Sequence, residues 1–459
     1  MRIEKDYLGE ETLPEEVYYG HSTARALRIY EVTGYRWQRV FIKALAQVKQ
    51  AALTSLKELS YLEEDKAEAL LVAARLLESG ELDDQIVVDP FQGGAGTATN
   101  FNVNEVLANK ALEIMGLDKG SYEVISPLND VNRFQSTNDV IPTASRLAVI
   151  YALKDLEANI ENLQKALQEK EKLYANIIKS GRTQYQAAVP VSLGMEFGAW
   201  AEAIARDRWR VYKSFERIKV VNIGGTAVGT GITAPRKYIF RVIDNLRRIS
   251  GLGIARAENM VEATSNNDVF SEVSGIMRSH GANLIKIGND LRFLSGDSCG
   301  EIKLKPIMRG SSIMPGKVNP VIPEMMVQAG IKILGNDQIV AQAVAAGHLE
   351  LNAFIPLITY TMLESMELLT RVDEKAVRYC INDIEPDEGR IRDNLYRGNA
   401  IITVLLPYLG YERAEEIWKY MRENQLDIVE ANNRLAFIDT DKLNEILQPH
   451  NLLKLGETD

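Results

Sequence analysis

The sequence predicts an all-α protein organised around a bundle of very long helices. Three observations predict it. Apolar residues recur at spacings of three and four over stretches much longer than an ordinary helix. Loops containing glycine and proline separate those stretches. The composition, 46% hydrophobic and 25% charged, is that of a globular chain without low-complexity segments. A length of 459 residues exceeds what one core usually serves, so more than one domain is expected.

The first 140 residues are mixed. Helical patterns over residues 35–59 and 64–79 give way to the Gly/Thr/Asn-rich stretch GGAGTATNFNVNE at Gly93–Glu105. After Pro142, Leu153, Leu156, Ile160, Leu163 and Leu167 mark one face of a helix that the pattern carries to about Lys179. Roughly 35 residues at about 1.5 Å each make a rod of about 50 Å. A second long helix is expected from about Val191 to Val220, with Leu193, Phe197, Ala201, Ile204, Val211, Phe215 and Ile218 inward. A third, from about Phe270 to Leu294, turns Val273, Met277, Leu284, Ile287 and Leu291 inward. A fourth starts near Pro320 and a fifth near Phe354. The segments between them, SGRTQYQAAVP, NIGGTAVGTGITAP and SGDSCGEIKLKPIMRGSSIMPGKVNP, read as loops. Gly410 and the weakly periodic segment after it suggest a small C-terminal domain. The expected division is a mainly helical N-terminal domain (1–140), a central long-helix domain (141–390) and a small helical C-terminal domain (391–459). Apolar stripes this extensive exceed what a single bundle covers, so helices of neighbouring copies are expected against them in a homo-oligomer.

Several classes fall away. With only Cys299 and Cys380 a disulfide scaffold is excluded, and a reducing cytoplasm is the expected location. The charged opening MRIEKDYLGEE has no signal-type apolar stretch, and no run of about 18 uncharged apolar residues predicts a membrane span. A net charge of −10, with both signs interspersed, argues against a nucleic-acid surface. It also means that any anionic ligand needs positive potential built locally.

Chemistry is expected in the loops. Gly310-Ser311-Ser312-Ile313-Met314-Pro315-Gly316-Lys317-Val318-Asn319-Pro320 gathers two hydroxyls, a cation and a carboxamide just before a helix. Helix-start N–H groups attract anions, Lys317 is a compact cation for a carboxylate, and Asn319 can donate to the same group. Ser311 or Ser312 could accept a proton if such a field stabilised its alkoxide. A capped helix start with a surface lysine would explain the loop equally if it stood alone. Three further polar loops accompany it: Thr97, Thr99, Asn100 and Asn102 in the glycine-rich stretch, Ser136, Thr137 and Asn138 in QSTND, and Arg182, Thr183 and Gln184 in GRTQYQ. Each separately is also readable as N-capping. Four together, each at a helix end or a glycine loop, point to a site.

At these residues the chain resembles the fumarase/aspartase superfamily. GSSIMPGKVNP resembles that family's signature, and RIEKDYLGE, GGAGTATNFNVNEVLANKALEIMG, QSTNDVIPTA, GRTQ, GGTAVGTGI, EATS, NDLRFLS, HLELN and VLLPYLGYERA extend the likeness over nearly the whole chain. RIEKDYLGE and Gln184, where fumarases typically carry histidine, favour the aspartase branch. The resemblance implies an all-helical homotetramer of three-domain chains, whose central bundle has about twenty helices and whose active sites combine loops of three subunits. It implies reversible anti elimination of ammonia from L-aspartate to give fumarate. The alternative is a fumarate hydratase, or another fumarate-releasing lyase acting on a substituted aspartate or a succinyl compound. By the same resemblance Ser311 removes the β-carbon proton. Lys317, Asn319 and Thr183 hold one carboxylate of a small dicarboxylate, and Thr99, Ser136, Thr137 and Ser312 hold the other. Asn138 and Gln184 lie near the leaving group, and Asn100 and Met314 complete the contacts.

The physics supports these roles. Removing a proton beside a carboxylate requires many preorganised donors for the developing dianion, and hydroxyls and amides supply them with no metal or cofactor. His21, His280, His348 and His450 lie far apart in sequence and show no metal-ligand spacing. An already protonated amine can leave as ammonia, whereas hydroxide needs a proton donor that Gln184 cannot be. An inactive helical scaffold is the reading of a different class, and intact Ser311, Lys317 and Asn319 oppose it. Gly296, Gly300 and Gly310 bracket a segment that reads as a mobile lid over the site. Two stretches depart from the family pattern. Ser126–Asn132 puts Asp130 where histidine is common, and the lid is short and lacks the usual Gly-Pro-Arg, with Arg309 or Lys305 as candidate replacement cations. Cys299 is either a redox-sensitive thiol or an ordinary loop cysteine.

Overall fold

An N-terminal hairpin, β1 (Arg2–Asp6) and β2 (Gly9–Leu13), precedes α1 (His21–Tyr30), α2 (Arg39–Glu58), α3 (Glu64–Ser79) and α4 (Thr97–Ile114). The long α5 (Thr137–Leu173) leads into a second hairpin, β3 (Ile178–Thr183) and β4 (Gln186–Ser192), and then α6 (Leu193–Ile218). There follow β5 (Val220–Val221), α7 (Arg236–Ser250), β6 (Ala255–Arg256), α8 (Met260–Ser265), α9 (Asp268–Ser295), β7 (Ile302–Lys303), α10 (Val321–Ala345), α11 (Ile355–Tyr379) and β8 (Glu385–Pro386). The chain closes with α12 (Glu388–Tyr396), α13 (Leu406–Asn424), α14 (Ile428–Leu435), α15 (Thr440–Ile446) and α16 (Pro449–Leu452). This computed structural model describes residues 1–454 and 456; residues 455 and 457–459, the end of the expected C-terminal domain, lie outside the described residues. Strands pair only in twos among the described residues, β5 with β6 in parallel and the other pairs antiparallel. No described helix is long and apolar enough to cross a membrane.

The chain divides into two units. Unit 1 holds Met1–Glu157, Trp209–Ser279 and Lys332–Leu369, and unit 2 holds Ala158–Arg208, His280–Ile331 and Thr370–Asp459. In unit 1, α2 packs on α3 and α7. Phe41, Leu45, Val48, Ala52 and Leu56 of α2, Leu70 and Leu77 of α3, and Val242 and Leu246 of α7 are all buried. Each large apolar side chain removed from water in this way contributes about 1.5–3 kcal/mol. In unit 2 the buried residues include Leu163 and Leu167, Phe197, Trp200 and Ile204, and Leu284, Ile287 and Leu291, at the three-and-four spacing of the sequence. Helices α9 and α10 approach closely there, because a Cβ on Gly330 would lie 2.4 Å from the Gly281 carbonyl oxygen. The last helices bury their own cluster of Leu395, Ile401, Leu405, Ile417, Ile428 and Leu443.

The helix expected to reach Lys179 stops at Leu173, and the β3–β4 hairpin takes its place. Ile177 and Ile178 continue the apolar spacing and so mimic more helix. Tertiary bonds end it instead: Leu193 N donates to the Ile177 carbonyl at 2.8 Å and Gly194 N to that of Tyr174 at 3.0 Å. A Cβ on Gly194 would lie 2.4 Å from the Glu171 carbonyl oxygen, so the start of α6 caps the end of α5.

A buried ionic triad joins α6, α9 and α11 within unit 2. His280 is fully buried, its Nδ1 3.0 Å from Asp207 Oδ2 and its Nε2 3.0 Å from Asp373 Oδ2, while Asn283 Nδ2 donates to Asp207 Oδ2 at 2.7 Å. Burial alone would discharge the imidazole, but the charge of Asp373 and the hydrogen bonds to both acids outweigh it and push its pKa up to about 10. A group whose folded pKa is raised stabilises fully below its unfolded pKa of about 6.5 and loses that contribution as pH climbs through about 10. The stability of wild type minus that of His280→Leu, measured by urea unfolding, is therefore expected to be about 3–5 kcal/mol near neutral pH and to shrink steadily toward pH 10.

Candidate active site

Unit 1 carries one group of the candidate residues. Short αL turns at Ala95 (φ 56°) and Gly96 (φ 92°) start α4 at Thr97. Thr97 and Asn102 are spent on the backbone: Thr97 Oγ1 donates to the Gly94 carbonyl, and Asn102 bonds Gln85 and Val87. Thr99 is fully buried, and its oxygen accepts from Trp37 Nε1 at 3.0 Å and Gln92 Nε2 at 2.8 Å, which leaves its own O–H as a donor. Asn100 Nδ2 reaches Asn132 Oδ1 at 3.1 Å and Thr137 Oγ1 at 3.3 Å. Ser136, Thr137 and Asn138 stand half-buried at the start of α5.

Asp139 holds that start in place. Its carboxylate accepts N–H groups from Ser136 at 3.0 Å, Thr226 at 2.9 Å and Gly224 at 3.1 Å, so one buried acid ties the QSTND turn to the GGTAVG loop. Burial pushes its pKa up to about 7 against the pull of those donors. Pro142 lacks the N–H that would pair with the Asn138 carbonyl. Asn222 Nδ2 donates to that oxygen at 3.0 Å instead, and Asn138 Nδ2 donates to the Ala227 carbonyl at 2.8 Å. Asn138 is thus held from outside the helix at both its carbonyl and its side-chain amide. Asp130, marked as a departure from the family pattern, accepts from the Ser126 N–H at 2.7 Å and closes its own turn.

Unit 2 carries the other group. Thr183 and Gln184 lie exposed at the tip of the β3–β4 hairpin, not directly before a helix as the sequence implied. Gln184 (φ 52°) and Tyr185 (φ 61°) are both left-handed, the two-residue turn whose twist matches a hairpin. Ser311 Oγ accepts the backbone N–H groups of Ile313 at 3.2 Å and Met314 at 3.0 Å. The loop closes on itself: Gly310 N donates to the Lys317 carbonyl at 3.1 Å, and Asn319 Nδ2 to the Gly310 carbonyl at 2.6 Å. A Cβ on Gly310 would lie 2.3 Å from the Lys317 carbonyl oxygen, so only glycine allows this closure. Ser311, Ser312, Met314 and Lys317 line one open cavity of about 780 Å³. The ammonium of exposed Lys317 meets no described carboxylate, whereas Lys305 pairs with Asp383 at 3.2 Å.

The base of the expected lid is pinned. Glu301, fully buried, accepts both guanidinium nitrogens of Arg182 (2.9 and 2.6 Å), Lys179 Nζ (3.0 Å) and Asn394 Nδ2 (3.0 Å). Burial works to raise its pKa, but the Arg182 bond and the Lys179 charge overcome it and hold the carboxyl below its usual range. Lys179 also pairs with Glu196 at 2.5 Å, and burial raises the Glu196 carboxyl. Cys299 is buried, which raises its thiol pKa and leaves little reactive thiolate. Arg182 was named with Thr183 and Gln184, and the structure turns its guanidinium to Glu301. Asp139 and Glu301 were not singled out by motif chemistry, because an acid in a first helical turn or in a loop looks like ordinary capping and surface charge. No group of three or more described His, Cys, Asp or Glu residues could hold a metal ion.

The chain matches the family described as Lyase over residues 9–335 and the fumarase C C-terminus over residues 401–454. It is 40% identical over 459 residues to an aspartate ammonia-lyase of Bacillus sp, covering 99% of this chain and 98% of that protein. A crystal structure of fumarate lyase:delta crystallin from Brucella melitensis bound to cobalt superposes with a TM-score of 0.93 at 41% identity, covering 98% of each chain. A class II fumarase from Schistosoma mansoni gives 0.90 at 29% identity, again over 98% of each. The fold is that of these lyases.

Removing the Glu301 carboxylate would strand the Arg182 guanidinium and leave Lys179 with the Glu196 carboxylate alone. Glu301→Ala is expected to lose about 3–5 kcal/mol in urea unfolding, and Arg182→Ala in the same background to add much less than it costs alone.

Proposed function

The chain belongs to the fumarase/aspartase superfamily of lyases, and from that membership we propose that it is an aspartate ammonia-lyase, eliminating ammonia from L-aspartate reversibly and with anti geometry to give fumarate. The observation that carries this reading is the Ser311 oxygen. It already accepts two backbone N–H groups, and Lys317 follows six positions on in the same closed loop. A serine alkoxide is basic enough to take a carbon-bound proton, and it forms only where donors and positive charge stabilise it. Ser311 takes the β-carbon proton, and the charge moves onto the adjacent carboxylate as an aci-dianion held by Lys317, Asn319 and Thr183. The electron pair returns to form the carbon–carbon double bond as the C–N bond breaks. The amine, protonated at the outset, leaves as ammonia near Asn138 and Gln184, and the Ser311 proton regenerates ammonium. Thr99, Ser136, Thr137 and Ser312 hold the other carboxylate, with Asn100 and Met314 beside it. Gln184 is neutral and supports loss of an amine over loss of hydroxide.

Assembly completes the reading. Met195 (54% exposed), Trp209 (61%), Tyr212 (52%) and Ile331 (59%) stand on long helices and support a homotetramer whose sites combine loops of different copies. Cys299 and Cys380 are free and buried, in keeping with a reducing cytoplasm.

Fumarate absorbance is expected to fall when fumarate and ammonia are mixed with the protein; release of fumarate from malate instead would make it a hydratase. Ser311→Ala is expected to lower kcat by about 1,000-fold or more while succinate binding, followed by calorimetry, survives. Sedimentation is expected to give four chains of 51.3 kDa, and a monomer would remove the shared-site reading.

A further inference from the structure

Lys49 sits mid-way along α2 with no part of its side chain exposed. A buried cation normally meets a carboxylate, because leaving it unpaired is costly. The Lys49 ammonium meets neutral amide oxygens instead: Asn132 Oδ1 at 3.1 Å and Gln135 Oε1 at 2.9 Å. Its surroundings are built of acceptors. Asn132 Oδ1 also receives Asn100 Nδ2 and, at 3.2 Å, Asn104 Nδ2, while the buried oxygens Asn100 Oδ1 and Asn104 Oδ1 accept from no described residue. Through Asn132 and Asn100 the ammonium is linked to the Thr137 hydroxyl, and its other partner, Gln135, directly precedes Ser136.

The candidate residues of unit 1, Thr99, Asn100, Ser136, Thr137 and Asn138, are all neutral. A dicarboxylate brings two charges, and Lys317 answers one. We propose that Lys49 answers the other: a positioning residue that does not touch substrate, but orients the hydroxyls of Ser136 and Thr137 and supplies positive potential to the carboxylate they hold. This rests on the dicarboxylate reading above.

Asp139 of α5 is the acid whose charge acts on Lys49, but its carboxylate is committed to three backbone N–H groups. Tyr238 of α7 faces Asp139, and burial keeps its phenol protonated. From α4 and the turn before α5 the facing groups are the amides of Asn100, Asn104, Asn132 and Gln135, which do not titrate. Burial pushes the Lys49 ammonium down to about 7. An arriving anion favours the protonated form, so binding is expected to take up a proton above about pH 7.

The test is calorimetric titration of the assembled enzyme with succinate, in buffers of different ionisation enthalpy, between about pH 6 and 9. Expected is net proton uptake per bound succinate that grows above pH 7 and persists in Asp139→Asn, even where the lost carboxylate bonds weaken succinate binding. Lys49→Met is expected to abolish the uptake and weaken succinate by about tenfold or more, and Lys49→Arg to restore affinity without uptake, since a guanidinium does not titrate there. Should the Lys49 variants fail to fold, wild type and Asp139→Asn decide between themselves. Succinate binding without uptake, uptake that survives Lys49→Met, or uptake that disappears in Asp139→Asn overturns the inference alone. No succinate binding at all overturns the functional reading and the inference with it.

Discussion

A buried carboxylate must be met by donors, and this chain uses that constraint to hold two of its polar loops. Asp139 takes three backbone N–H groups from two separate segments of unit 1, and Glu301 takes two cations and an amide in unit 2. Hydrogen bonds to an ionised group are worth about 1.5–3 kcal/mol each, while ordering a residue costs about 1–2 kcal/mol. One such bond offsets the ordering of Ser136, and the other two offset that of Gly224 and Thr226 in the loop tied to it. Neither carboxylate has to meet a ligand to matter; each fixes groups that can.

The same economy shapes the charge. A chain with a net charge of −10 repels dianions at long range, so attraction has to be local and dry. The polar loops answer with hydroxyls, amides and backbone N–H groups, and with single lysines rather than a broad basic surface. Ser311 shows the principle at its smallest scale, its oxygen held by two N–H groups of its own loop. Holding Lys49 and Asp139 in the interior works against both, since burial moves each pKa toward neutrality. That is a stability cost carried at a site and balanced by packing elsewhere.

The long helices were legible because burial of a helix face imposes its period on the chain. The stripe from Leu153 to Leu167 is buried at every position the spacing named. The β3–β4 hairpin was not legible, since Ile177 and Ile178 extend the helical period and the bonds that end α5 come from Leu193 and Gly194, remote in sequence. The polar loops could be found as clusters of Ser, Thr and Asn, yet not sorted. Thr97 and Asn102 look like Thr99 and Asn100 in the sequence, and only their partners show that the first two serve the backbone.

By itself, then, the sequence determined the helical class, the buried stripes, the family and the loops in which the polar residues gather, because each of these is written in short-range spacing or in contiguous motifs. The tertiary structure decided which oxygen accepts which N–H, that Asn222 serves the carbonyl freed by Pro142, that Lys305 is tied to Asp383, and that the buried Lys49 meets the amide oxygens of Asn132 and Gln135 rather than a carboxylate. These depend on distances between residues far apart in the chain, and hydrogen bonds and charges act through space with no regard for sequence separation.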